Sequence, residues 1–204
     1  MQSKHLFWLN MLAIITTRKT LFAPLLVIFL CTLIMILHFN VDLRFDRDAI
    51  NNGQWYRILT GNFVHSNVAH LVMNMLGVGA LWLMHHHFFT VLKYWLYIIL
   101  MSTLCTVLIY LYSHNIDIYV GLSGTLHGLL AYGALKDIQV KEKTGYLLLI
   151  GVVGKVMYEQ FVGASADLEQ LIASRVAIEA HLFGLIAGIA VASIEILSHK
   201  KPKH

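Results

Sequence analysis

The sequence predicts an all-α membrane protein, a bundle of six transmembrane helices. Hydrophobic residues fill 58% of the 204 positions and charged residues only 13%, about half the charge share of a soluble domain. The apolar residues also run on without alternating, which fits helices and not the strands of a β-barrel. Each run approaches the roughly 20 residues that a helix needs to cross the hydrocarbon. Backbone groups in lipid need partners within the chain, and a helix supplies them.

Residues 21–38 carry no formal charge and form the first span. No small-residue cleavage site follows, so this run reads as a retained span and not as a signal peptide. Residues 64–84 form the second, uncharged but holding His65 and His70. Residues 94–112, 118–135, 145–162 and 176–197 complete the set. The expected organisation is a cytoplasmic segment over 1–20, a six-span domain over 21–198 and a basic tail over 199–204. Residues 39–63, with Trp55 and Tyr56, read as an interfacial segment at headgroup depth.

Lys and Arg near span ends set the orientation. One side collects Lys4, Arg18, Lys19, Lys93, Lys136, Lys141, Lys143, Lys200, Lys201 and Lys203, and the other only Arg44, Arg47, Arg57 and Arg175. Both termini are therefore expected in the cytoplasm, and the net charge of +4 reflects topology. No basic stripe interleaves with aromatics, so nucleic acid is not an expected partner. Cys31 and Cys105 fall within spans and read as small packing residues rather than a disulfide.

Polar residues then single out three spans. The second carries His65, His70 and Asn74, the fourth Ser123 and His127, and the sixth Glu179 and His181. Under this topology all lie in the outer half of the membrane. A lone serine or histidine in a span is ordinarily a packing residue or interhelical glue. Convergence of several at one depth from three helices points instead to a single site, because such groups are costly in lipid. His70 and Asn74 are four apart and share a helix face. Gly124 and Gly128 form one G-x-x-x-G, and Gly184 and Gly188 another. Such pairs let helices approach closely, which would bring Ser123 near His181. Gly121 frees the chain to turn into the fourth helix, leaving Ser123 near a helix N-terminus whose amides can stabilise an oxyanion. Lys155 and Glu159, four apart in the fifth span, read as a salt bridge within the bundle. No acid is evident as a third partner for His181, and Glu179 faces elsewhere on its helix. His85, His86 and His87 read as a solvated turn and not a metal site.

These residues resemble the rhomboid family. Gly121-Leu122-Ser123-Gly124 is similar to its G-x-S-G nucleophile motif, and Ala180-His181 through Gly184 and Gly188 resembles its A-H-x-x-G-x-x-x-G helix. His65, His70 and Asn74 resemble its H-x-x-x-x-H-x-x-x-N series. Trp55 and Arg57 approach its W-R element, here split by Tyr56. The longer run Gly121-Leu122-Ser123-Gly124-Thr125-Leu126-His127-Gly128 resembles the G-L-S-G-x-L-H-G signature of rhombosortases, bacterial relatives with a six-span core. Glu159-Gln160 also resembles that subfamily. Other rhomboids usually have Tyr where His127 stands.

The resemblance implies an intramembrane serine endopeptidase of the bacterial inner membrane, with its site toward the periplasm. Its substrates would be membrane-anchored proteins ending in a Gly-Gly motif, an apolar helix and a basic tail. Ser123 would be the nucleophile and His181 its base. His70, Asn74 and the Ser123 amide would hold the oxyanion, with Gly121, Gly124, His127 and His65 in support. His127 has a structural reading too, as a buried histidine bonded to a backbone carbonyl. No cofactor or metal is expected. The other readings are a general rhomboid protease of single-pass proteins and a non-catalytic relative that binds membrane clients. A His-lined transporter would need an internal repeat with broken helices, and none is evident.

Overall fold

The computed structural model describes residues 20–199. The sequence expectations for residues 1–19 and for the tail over 200–204 lie outside the described residues. Helices occupy all six of the regions expected to span. Helix α1, Thr20–Ile36, buries Ala23, Val27 and Cys31 and exposes Phe22, Leu25 and Phe29. The buried three are four apart, so one stripe faces the bundle and the rest faces outward.

Short elements follow: α2 (Asn40–Leu43), strand β1 (Phe45–Asp46), α3 (Arg47–Asn51) and α4 (Arg57–Thr60). Asp46 caps α3 by accepting from the Ala49 amide at 3.1 Å. Arg57, buried, donates to the Val41 and Arg44 carbonyls and to Gln54, and so ties this segment to itself. Trp55 packs edge-on against Tyr110, ring centroids 6.0 Å apart.

Helix α5 spans Val68–His85 and α6 spans Val91–Tyr112. Arg47 donates to the carbonyls of Ile109, Tyr110, Ser113 and Ile116. It thus ties together carbonyls at the end of α6 and in the turn after it.

Strand β2, Ile118–Tyr119, pairs antiparallel with β1, Phe45 opposite Tyr119. This ladder corrects the expected start of the fourth span. Residues 118–122 are apolar enough to continue a helix, but pairing and the left-handed Gly121 (φ +112°) delay helix α7 to Ser123–Gln139. Similarly, the second span begins as helix only at Val68, which leaves His65 in the loop before it. Helices α8 (Thr144–Val162), α9 (Ala166–Ile172) and α10 (Ile178–His199) complete the order.

Among the described residues, four helices are long and apolar enough to cross a membrane: α5 with the turn after it, α6, α8 and α10. Helix α7, 17 residues, is the inner one, with Gly124, Thr125, Gly128, Ala131 and Tyr132 all buried. It packs on α10 backbone to backbone. A Cβ on Gly124 would stand 2.8 Å from the Ala180 carbonyl oxygen, and one on Gly128 2.8 Å from that of Gly184. A Cβ on Gly184 or Gly188 would overlap the Gly124 or Gly128 carbonyl. The paired G-x-x-x-G motifs therefore meet each other. Helix α8 lies at the rim, with Leu147, Ile150 and Phe161 exposed.

The end of the bundle far from Ser123 has its own polar clasp. Glu195 accepts from Lys93 (2.9 Å), Tyr97 (2.5 Å), Tyr132 (3.0 Å) and Lys136 (3.1 Å). There the histidine run departs from expectation. His85 is buried rather than solvated, and pairs with Asp137 at 3.2 Å. Gly133 of α7 leaves the room its ring occupies.

Candidate active site

Ser123 is the first residue of α7. Its amide is one of the N-terminal donors without a partner inside the helix. The turn that delivers it needs Gly121, whose φ of +112° disfavours any side chain. A Cβ there would also lie 2.6 Å from His70 Nε2 and 3.7 Å from Asn74 Nδ2. The glycine thus lets two side chains of α5 approach the backbone just before Ser123.

His181, in the first turn of α10, meets Ser123 across the glycine contact. Its Nε2 is 2.9 Å from Ser123 Oγ. Its Nδ1 is 2.8 Å from Glu159 Oε2, on the last turn of α8. A carboxylate only accepts, so Nδ1 carries the proton. The bare Nε2 then accepts from the Ser123 hydroxyl, the arrangement a general base requires. Glu159 Oε1 takes a second charge-assisted bond, from Lys155 Nζ at 2.7 Å. The expected Lys155–Glu159 pair is present, but it uses only half the carboxylate. The sequence reading found no third acid, and the structure puts Glu159 in that place. Its signal was position: it lies in the last turn of α8, at the same end of the bundle as His181.

His127, one turn along α7 from Ser123, stacks on His181 with centroids 4.1 Å apart and planes 21° apart. Its Nδ1 donates to the Ser123 carbonyl at 2.7 Å. Both readings of this residue, a support for His181 and a histidine bonded to a backbone carbonyl, describe the same geometry. His127, Glu159 and His181 bring ligand-type atoms within 4.8 Å of one another. The two rings are near parallel, however, so their in-plane lone pairs do not converge as metal coordination needs. Both Nδ1 atoms are also taken up in hydrogen bonds.

On the other side, Asn67 caps α5 by accepting from the His70 amide at 2.8 Å. Asn74 Nδ2 donates to the His70 carbonyl at 3.1 Å and keeps a second N–H. His65 is buried, its ring edge-on to His70 at 5.1 Å. His65 lies before the cap of α5, which Asn67 supplies.

Helix α9 covers the site. Its end is held by Ser66, which donates to the Ile172 carbonyl at 2.5 Å, and by Asn67, which donates to that of Leu171 at 2.9 Å. Ser66 Oγ is also 2.9 Å from His70 Nδ1. The one Ser66 proton goes to Ile172, so His70 Nδ1 is the donor to Ser66 and a neutral His70 has a bare Nε2 in this arrangement. Ser66 escaped the sequence reading, since a hydroxyl in a polar loop carries no motif.

Ser123, His181, His70, Asn74, His127 and Lys155 line one cavity of about 230 Å³, floored by Met73 and Leu126 and roofed by Leu168, Ile172 and Val176. A larger cavity of about 530 Å³ lies between residues 115–118 and 163–179 and does not include Ser123. Glu179 lines it and pairs with Asn115 at 3.2 Å.

Fold and site together define a helical membrane protein with a serine–histidine pair recessed at one end of its bundle. The family model for the Rhomboid domain matches residues 52–198, most of the chain, and the chain belongs to the rhomboid family. That family consists generally of intramembrane serine proteases, with some inactive members. No match to the chain is found among curated proteins.

Proposed function

We propose that the protein is a rhombosortase-type intramembrane serine endopeptidase. It cuts C-terminal anchors made of a Gly-Gly motif, an apolar helix and a basic tail. The observation that carries this reading is the Ser123–His181 contact of 2.9 Å at the head of α7, next to His70 and Asn74. His181 takes the Ser123 proton as Oγ attacks the scissile carbonyl, and returns it to the leaving amine. The Ser123 amide, Asn74 and His70 receive the oxyanion. His70 can donate from Nε2 once the Ile172 carbonyl leaves Ser66, because the Ser66 proton then turns to His70 Nδ1. Displacement of α9 by the substrate supplies that change, with water carrying the proton between ring nitrogens.

The G-L-S-G-x-L-H-G run supports the narrower subfamily, and His127 stacked on His181 fits it. In this reading the chain crosses a bacterial inner membrane six times with both termini cytoplasmic, and α1 and α7 join the four longer spans. Gly121 and Gly124 serve geometry, and His65 and His127 support the histidines they touch.

The test is cleavage of two membrane-anchored reporters by the wild type and by Ser123→Ala. One reporter ends in Gly-Gly, an apolar helix and a basic tail, and the other carries a generic rhomboid-sensitive span. Ser123-dependent cutting of the tailed reporter alone is expected. Cutting of the generic span alone would assign the chain to the general proteases. No Ser123-dependent cutting of either by folded protein would leave a client-binding relative.

A further inference from the structure

Glu159 has two unusual features. It is a buried carboxylate in a membrane helix, where ionisable residues are costly and tend to be functional. It also spends its two oxygens on different partners, Oε2 on His181 Nδ1 at 2.8 Å and Oε1 on Lys155 Nζ at 2.7 Å. A carboxylate kept only to neutralise Lys155 would have no need of the histidine. Lys155 itself is about half exposed, whereas Glu159 and His181 are buried. The buried end of the chain of contacts is thus the one that reaches Ser123.

We propose that Glu159 is a positioning residue for catalysis, completing a Ser123–His181–Glu159 relay in which Lys155 is the counter-ion. This rests on the serine protease reading above. The Ser123–His181 pair of the proposed mechanism does not by itself call for a carboxylate, so Glu159 is an addition to it. Its work is of two kinds. It holds the proton on Nδ1, which fixes the tautomer whose Nε2 can act as a base. It also faces the positive charge that His181 acquires. As the Ser123 Oγ–C bond forms, the hydroxyl proton moves to Nε2 and the carbonyl electron pair moves to oxygen. The imidazolium then lies between Glu159 and the oxyanion, and Glu159 stays ionised throughout. When the C–N bond breaks, the Nε2 proton leaves with the amine, and His181 is neutral again with Nδ1–H still on Glu159. His127, stacked at 4.1 Å, limits ring tilt, and Glu159 limits rotation within the ring plane. Lys155 supplies the opposite charge that lets a carboxylate reside among α7, α8 and α10.

The variant to compare is Glu159→Gln, which keeps the shape and removes the charge. In full-length protein in nanodiscs, kcat for the cleaved reporter is expected to fall by about 100- to 10,000-fold. KM should change by less than about threefold, as for an interaction made in the transition state. Proton NMR gives a second readout. The wild type and Ser123→Ala should both show a far-downfield His181 Nδ1–H resonance, and Glu159→Gln should lack it. A folded Glu159→Gln that retains kcat, or one whose loss falls wholly on KM, overturns the proposal. So does a wild-type spectrum in which His181 carries its proton on Nε2, a result that needs no variant to fold. If the wild type cuts neither reporter, the protease reading fails on its own, while the resonance still reports whether Glu159 holds His181.

Discussion

At the scale of single residues, the site depends on one position with no side chain. Gly121 combines a left-handed backbone with close approach to His70. Alanine there would meet both a conformational penalty and a contact of 2.6 Å with His70 Nε2. The ring would have to move away from the region where the oxyanion forms. Gly121→Ala is therefore expected to lower kcat/KM for the cleaved reporter by at least about 100-fold, the effect of losing one oxyanion donor. The protein should still fold, because Gly121 lies in the turn before α7 and not in the α7–α10 contact. Reporter cleavage normalised to folded protein reads the effect, and wild-type activity would show that His70 is not needed where it stands. Such residues were legible in the sequence because a short local motif carries them: Gly121, Ser123 and His127 lie within seven positions. Glu159 was not legible as a partner of His181. The i, i+4 pair with Lys155 accounted for its charge, and one sequence spacing cannot show that the second oxygen points to another helix.

Among the elements, the α7–α10 contact sets the distance between Ser123 and His181. It is made of backbone, since Gly124, Gly128, Gly184 and Gly188 leave no room for a Cβ. In lipid, where burying apolar area gives little gain, such close packing is a main source of helix affinity. Gly184→Ala must push the helices apart, because its Cβ overlaps the Gly124 carbonyl. It is expected to destabilise the protein by about 1–3 kcal/mol, the usual cost of overpacking, and to cost activity by separating the pair. Gly151 of α8 is the control, since nothing lies within 4 Å of its Cβ position. Gly151→Ala should be neutral or slightly stabilising. Thermal unfolding in detergent compares them, and equal melting temperatures would mean that the contact has slack. The pairing of these motifs could be read from sequence because glycine periodicity is a helix-face signal. The start of α7 could not. Residues 118–122 are apolar enough for a span, and only pairing with Phe45–Asp46, some 70 residues earlier in the chain, takes them out of the helix.

Across the whole molecule, polar residues gather at the two ends of the bundle and do different things there. One end holds the Ser123 cavity under α9. The other holds Glu195 with two lysines and two tyrosines, and the buried His85–Asp137 pair. The lysines of that second end belong to the side that the positive-inside rule places in the cytoplasm. In the proposed orientation the Ser123 end lies outside, where an exported substrate would present its anchor. Orientation thus ties the polar clasp and the site into one argument, and it can be tested without any activity. Both native cysteines are buried, so they should not react with a membrane-impermeant maleimide. Asp167→Cys in α9 and Glu142→Cys in the α7–α8 connection replace exposed residues. In intact spheroplasts Asp167→Cys is expected to label at once, and Glu142→Cys only after the membrane is permeabilised. The opposite pattern would turn the bundle over. Ser123 would then face the cytoplasm, the lysine-rich end would lie outside, and an exported protein could not be its substrate.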